Sequence, residues 1–315
     1  MNNRATSRVL AAVTALLALG GAAGCSLGGA SGADPQRVDV VAAFYPLQFL
    51  AERIGGDAVR VTNLAKPGAE PHDLELSPKQ VGQVSDAELI VYLKGFQPAV
   101  DDAVAQNGGD RTFDVTSVQP LLDVTAAGHD HEGPGEHAEE DTGGKDPHVW
   151  LDPTRLATIG DQLAQRLGRA DPDHAADYTA RASALRADLT ALDGEFTKGL
   201  ATCQRREIVT SHAAFGYLAD RYRLDQVGIT GLSPDVEPSP QRLAQVIEEA
   251  REHRTTTIFF ETLVSPKVAE TIARQVGAKT AVLDPIEGLA AGDGADYLSV
   301  MRTNLQALRT ALSCS

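Results

Sequence analysis

The chain reads as an α/β protein of two lobes, each with a parallel-type sheet flanked by helices, joined by one long rigid helix. Three observations carry this. Short β-branched runs alternate with helical patterns, the signature of parallel sheets with helices on their faces. The alternation occurs twice, with four strand candidates on either side of residues 171–202. The stretch between the two sets carries an apolar stripe at helical spacing.

In the first half, VDVVAAF (38–44), VRVTNL (59–64), AELIVYL (87–93) and RTFDV (111–115) are the expected strands. Their branched and aromatic side chains fit a pleated, half-buried surface. PLQFLAERIGG and SPKQVGQVSD between them are expected helices, and DPHVWLDP opens another. The connecting stretch places Leu185, Leu189, Leu192, Phe196 and Leu200 at spacings of four, three, four and four. Asp171 is its expected N-cap, with Pro172 at the first helical position. About 30 residues at about 1.5 Å each make a rod of roughly 45 Å. The second half repeats the style with REIVTS (206–211), LDQVGI (224–229), TTTIFFE (255–261) and KTAVLD (279–284). Helices are expected there at 213–222, 239–253, 266–276 and 295–312. The organisation is therefore an N-terminal lobe over 38–170, a linking helix over 171–202 and a C-terminal lobe over 203–315.

The first 24 residues read as an export signal: Arg4 and Arg8 precede an apolar run, Val9 to Leu19, too short to span a bilayer comfortably. Small residues follow the run and end in Ala22-Ala23-Gly24-Cys25, which resembles a bacterial lipobox with Ala22 where Leu is commoner. Cys25 is then the expected lipidated N-terminus, and residues 25–37 a flexible tether of small polar residues. Removal of the signal moves the formal charge from -15 to -17, because it takes two arginines and no acid. Such acidity argues against nucleic-acid binding, which needs a basic footprint. Outside the cytoplasm the remaining even pair, Cys203 and Cys314, favours a disulfide.

Residues 126–146 are the one low-complexity segment, with seven acids, one lysine and the histidines His129, His131 and His137. The segment lacks apolar periodicity and reads as a loop inserted before a helix of the first lobe. Four other positions lie in loops or just past strands, where open α/β sheets bind ligands. His72 sits in KPGAEPHDLELSP, His148 in DPHVWLDP, His212 directly after REIVTS and Asp284 directly after KTAVL. A histidine after a strand is more often a loop or capping residue than a ligand, and Asp-Pro is a common turn. Together, three imidazoles and a carboxylate make an N₃O set suited to Zn²⁺, if they converge.

GAEPHDLELSP, DPHVWLDP, TSHAAFGYLADRY and GLSPDVEPSP together resemble the zinc and manganese solute-binding lipoproteins of bacterial ABC importers. The resemblance covers essentially the whole mature chain, in order. It implies two α/β lobes with a metal ion held between them, and its ligands fall on His72, His148, His212 and Asp284. His rather than Glu at 212, and the His- and acid-rich loop before His148, imply the zinc type. It also implies a permease membrane subunit as partner. Glu261, at the end of TTTIFFE, and water are the alternatives to Asp284 as fourth ligand; the resemblance favours a place for Glu261 just outside the ligand shell, orienting an imidazole. Glu70 reads as solvated, and Trp150 and Phe215 as packing around the site.

The expected function is capture of Zn²⁺, carried as cargo, by a monomer tethered to the bacterial cell membrane outside the cytoplasm. His129, His131 and His137 form an expected auxiliary site that collects the ion. One alternative keeps the fold and changes the ion to manganese or iron. A zinc hydrolase is the alternative of a different class; it needs an open coordination position and a general base, and HExxH is absent from the sequence. No enzymatic activity is expected.

Overall fold

The computed structural model describes residues 37–124, 144–289 and 294–315. The expected signal segment, Cys25, His129, His131 and His137 lie outside the described residues.

β1 (Val38–Ala42), β2 (Val59–Asn63), β3 (Leu89–Tyr92) and β4 (Thr112–Asp114) form an all-parallel sheet in the order β2-β1-β3-β4. β3 is buried along its whole length, which is why LIVY shows no polar alternation. Ala42 pairs with both Asn63 and Val91, so the carboxyl ends of three strands finish at one level. The chain order reverses between β1 and β3, and such a switch point opens a crevice at the strand ends.

Helices α1 (Tyr45–Gly55), α2 (Pro78–Asp86) and α3 (Pro98–Asn107) accompany this sheet. Ser77 caps α2 in a reciprocal capping box with Gln80. No helix is expected from the sequence over 98–107, where α3 forms. This helix buries only Val100, Ala103 and Val104, so its apolar face is too short to stand out as a stripe.

α4 (Pro153–Ala170) and α5 (Ala175–Gly199) follow as an antiparallel hairpin. α5 buries Tyr178, Ala182, Leu185, Leu189, Leu192 and Phe196. It begins at Ala175, later than Asp171, and its 25 residues span about 37 Å. The difference has a local cause. The Asp171 carboxylate accepts from His174 Nδ1 at 2.6 Å and from the Tyr178 hydroxyl at 2.7 Å, and so does not cap the backbone. Pro172–His174 therefore form a separate 3₁₀ turn before the α-helix begins.

The second sheet holds β5 (Glu207–Thr210), β6 (Asp225–Gly228), β7 (Thr257–Phe260) and β8 (Lys279–Val282). It is parallel, and its order, β6-β5-β7-β8, repeats that of the first. α6 (Gly216–Tyr222), α7 (Pro240–Glu252), α8 (Lys267–Val276) and α9 (Tyr297–Ala311) complete the lobe. Gly277 ends α8 with φ +74°, where a side chain would be strained. One apolar cluster runs from β1 and α1 through α4 and α5 to α6 and α9. A smaller one lies between the second sheet and α7 and α8. No helix among the described residues is long and apolar enough to cross a membrane.

Cys203 and Cys314 are joined by a disulfide across 111 residues of sequence. It ties the segment after α5 to the end of α9, where the Gln204 and Arg205 amides donate to the Leu312 carbonyl. On the chain-entropy argument a loop of this length is worth about 4.7 kcal/mol against the unfolded chain. Reduction should therefore lower the chemical-denaturation midpoint of the protein substantially. An unchanged midpoint would show that packing alone holds the C-terminus.

Candidate metal centre

Four side chains converge between the two sheets: His72, His148, His212 and Glu287, with donor atoms all within 4.8 Å of one another. His72 lies in the loop after β2, His148 before α4, His212 two residues beyond β5 and Glu287 five beyond β8. Each lobe contributes two. Glu287 was not among the residues the sequence singled out. Asp284, expected in this place, is not part of the group.

The geometry centres on one oxygen. Glu287 Oε1 lies 3.4 Å from His72 Nε2, 3.1 Å from His148 Nε2 and 3.1 Å from His212 Nε2. His148 Nε2 and His212 Nε2 are 3.3 Å apart. A tetrahedron with bonds of about 2.0–2.1 Å has edges of about 3.3–3.4 Å, so these separations match a four-coordinate zinc shell.

Behind the imidazoles stands a second row of acceptors. His148 Nδ1 is 2.8 Å from Asp146 Oδ1, which also accepts from the His148 amide at 2.9 Å. His212 Nδ1 is 2.6 Å from Glu261 Oε1. A carboxylate facing Nδ1 holds the proton there and leaves the Nε2 lone pair facing inward, the tautomer a metal needs. Glu261 thus lies behind His212.

Backbone positions are held as firmly. The His212 carbonyl accepts from the Thr210 hydroxyl at 2.7 Å and from Gln226 Nε2 at 3.2 Å. Gly228, ending β6, admits this turn: a Cβ there would stand 2.6 Å from the Thr230 carbonyl oxygen. Trp150 is buried with its ring 5.3 Å from that of His148, and Phe215 is buried three residues beyond His212. The Phe96 ring meets His72 edge-on at 4.7 Å.

His148, His212 and Glu287 are buried, and the His72 side chain is 9 % exposed. Burial alone would raise the Glu287 carboxyl, but the His212 and His72 rings beside it hold it well below its usual range. Burial disfavours charge on His212, yet Glu261 and Glu287 hold it well above the ordinary 6.5. His148 is raised in the same way, its burial outweighed by hydrogen bonds to Asp146 and Glu287. His148 and His212 are thus both biased toward the protonated form beside a Glu287 biased toward the ionised one.

Glu70 corrects a sequence expectation, because it is not solvated. Its Oε1 accepts from the His72 amide at 3.1 Å and its Oε2 is buried without a partner. Burial, with Glu287 nearby, pushes its carboxyl up to about 9. Asp284 is buried too. Its Oδ1 accepts from the Ile286 amide at 2.7 Å and its Oδ2 from the Thr262 hydroxyl at 2.9 Å, so both oxygens are engaged away from the imidazoles.

Residues 40–311 match the family described as ZnuA, the periplasmic component A of the zinc-uptake complex. The chain belongs to this family. The zinc-binding protein AdcA of Streptococcus pyogenes is 36% identical over 286 residues, covering 87% of this chain and 56% of the relative. The chain thus spans about half the length of that relative. The high-affinity zinc uptake protein ZnuA of Bacillus subtilis is 34% identical over 291 residues, covering 90% of each. The crystal structure of the Zn(II)-bound ZnuA-like domain of Streptococcus pneumoniae AdcA superposes with TM-score 0.73 at 34% identity. It covers 88% of this chain and 99% of that one.

These charge states set a pH dependence for the protein stripped of metal. Native His148 and His212 keep protons above the ordinary 6.5, and Glu70 keeps one up to about 9. The native state therefore binds more protons than the unfolded chain between about pH 6 and 9, and stability must fall as pH rises. Glu287, held low, adds stability above about pH 4.5 that is lost in stronger acid. Denaturation of the metal-free protein should show a higher midpoint at pH 6 than at pH 8.5. The reverse order would contradict the charge assignment.

Proposed function

We propose that the chain captures Zn²⁺ outside the cytoplasm on His72, His148, His212 and Glu287 and delivers it to the membrane subunit of an ABC permease. The observation that carries this is the set of donor separations around Glu287 Oε1, 3.1 to 3.4 Å, which fits four bonds to one small ion. Three imidazoles and one carboxylate suit zinc, whereas manganese prefers more oxygen. The zinc-bound AdcA domain and the zinc uptake protein named above support the same ion.

Four protein donors close the shell, which suits binding and release rather than hydrolysis. A catalytic zinc keeps a position open for water. The donors are pre-aligned by Asp146 and Glu261, so little ordering entropy remains to be lost when the ion binds. Entry of the dication displaces the protons on the imidazoles, so affinity falls in acid. Because the donors are divided between the lobes, loosening either half leaves the ion with an incomplete shell. Lipidation at Cys25 would keep the loaded protein beside its permease, and a monomer suffices for the task. The segment with His129, His131 and His137 would collect the ion ahead of the main site.

Competition against a chromogenic chelator at neutral pH should find one tight zinc per molecule. His148→Ala and His212→Ala should each cost more than the about 10–100-fold typical of outer-shell changes. Deletion of residues 129–140 should leave the tight site intact. Tight binding that survives His212→Ala would sink the assignment.

A further inference from the structure

We infer that Asp284 is a positioning residue: it shapes the short loop after β8 so that Glu287 reaches the three imidazoles. This rests on the reading of Glu287 as a zinc ligand. Ile286, the residue before Glu287, has φ +61°. A β-branched side chain is rarely found in that left-handed region, so the conformation persists only where its surroundings impose it.

The surroundings here are specific. Asp284 Oδ1 accepts from the Ile286 amide at 2.7 Å, an Asx turn that closes over Pro285. The other carboxylate oxygen is anchored by the Thr262 hydroxyl at 2.9 Å. Asn304 of α9 grips the Asp284 backbone from both sides. Its Oδ1 accepts from the Asp284 amide at 2.9 Å and its Nδ2 donates to the Asp284 carbonyl at 2.7 Å. Trp150 Nε1 donates to the Pro285 carbonyl at 2.7 Å, which ties the loop to the turn that carries His148. Beyond Glu287, the Gly68 amide donates to the Leu289 carbonyl at 2.9 Å. The amide that Asp284 holds belongs to the one strained residue in this run, and the ligand follows it directly. Neither Asp284 oxygen is needed on the ion for the residue to matter.

The claim separates from a ligand role by the chemistry of substitution. Asparagine keeps an oxygen for the Ile286 amide and a polar partner for Thr262 but has no carboxylate for zinc. Alanine keeps neither. Zinc affinity by chelator competition, and the visible spectrum of the cobalt(II)-loaded protein, should be measured for Asp284→Asn, Asp284→Ser, Asp284→Ala, Glu287→Gln and Asp284→Ala/Glu287→Gln. We expect Asp284→Asn within about threefold of wild type with an unchanged cobalt spectrum. Asp284→Ala should lose about 10–100-fold, the usual scale for outer-shell groups, and shift the spectrum. In the Glu287→Gln background the alanine change should cost little more, because it acts through Glu287.

Full additivity in the double variant would overturn the positioning role. So would wild-type affinity in Asp284→Ala while Glu287→Gln is impaired. Equal, large losses for Asp284→Asn and Asp284→Ala, with Glu287→Gln unaffected, would instead make Asp284 the ligand and sink the reading beneath. If Asp284→Ala does not fold, Asp284→Ser decides: its hydroxyl can still accept from the Ile286 amide, more weakly, so its affinity should fall below that of Asp284→Asn. A serine variant equal to asparagine would then contradict the claim.

Discussion

Glu287 places a carboxylate where almost no water reaches, and the rest of the centre answers to that constraint. An unpaired ion buried so deeply would cost several kcal/mol. Three imidazole nitrogens within 3.4 Å of its Oε1 offset the penalty, as hydrogen-bond partners or by sharing a cation with it. That arrangement in turn demands that the rings not rotate, which Asp146 and Glu261 prevent from behind. Both of those acids keep one oxygen buried without a partner, as does Glu287, so the centre holds more acceptors than the protein supplies donors for. A divalent cation is the species that best completes it.

The scaffold meets a different demand, that of holding donors from two sheets at one point. Each sheet places its strand ends at a switch point, and the two copies of one topology offer their crevices to each other. The hairpin of α4 and α5 packs against α1, and α5 also against α9, with ion pairs from α5 to both: Asp188 with Arg53, and Glu195 with Arg302. These pairs are exposed and contribute little stability. The buried bonds matter more. The Tyr297 hydroxyl donates to the Trp150 carbonyl at 2.6 Å, and Tyr217 bridges Leu122 and Asp146.

Much of this is legible from residue order. The eight strand candidates each contain an observed strand, because period and branching fix a buried strand locally. The three histidines stand in loops beside strand ends or helix starts, and the motifs around them single them out. Glu287 is different. It lies in DPIEG, where Asp-Pro directly after a strand draws attention to Asp284. Nothing in the composition says that a β-branched Ile286 turns left-handed and that the carboxylate grouped with the imidazoles lies three residues beyond Asp284. The available signal was Gly288, whose Cβ would crowd the Ala69 carbonyl oxygen at 3.3 Å and so marks a close approach of the two lobes. Glu70 is hidden for a related reason: a charged residue in a Pro- and Gly-rich loop looks solvated until the other lobe covers it. The start of α5 depended on a side-chain competition for Asp171 that spacing alone does not encode.

The central claim is that one ion is held by three imidazoles and the Glu287 carboxylate. The most direct test is a crystal structure of the zinc-loaded protein, with the ion located by anomalous scattering at the zinc edge. The account predicts a single strong peak between the lobes, bonded at about 2.0–2.2 Å to Nε2 of His72, His148 and His212 and to a Glu287 oxygen. A peak bonded to Asp284 or Glu261 in place of Glu287 would contradict it.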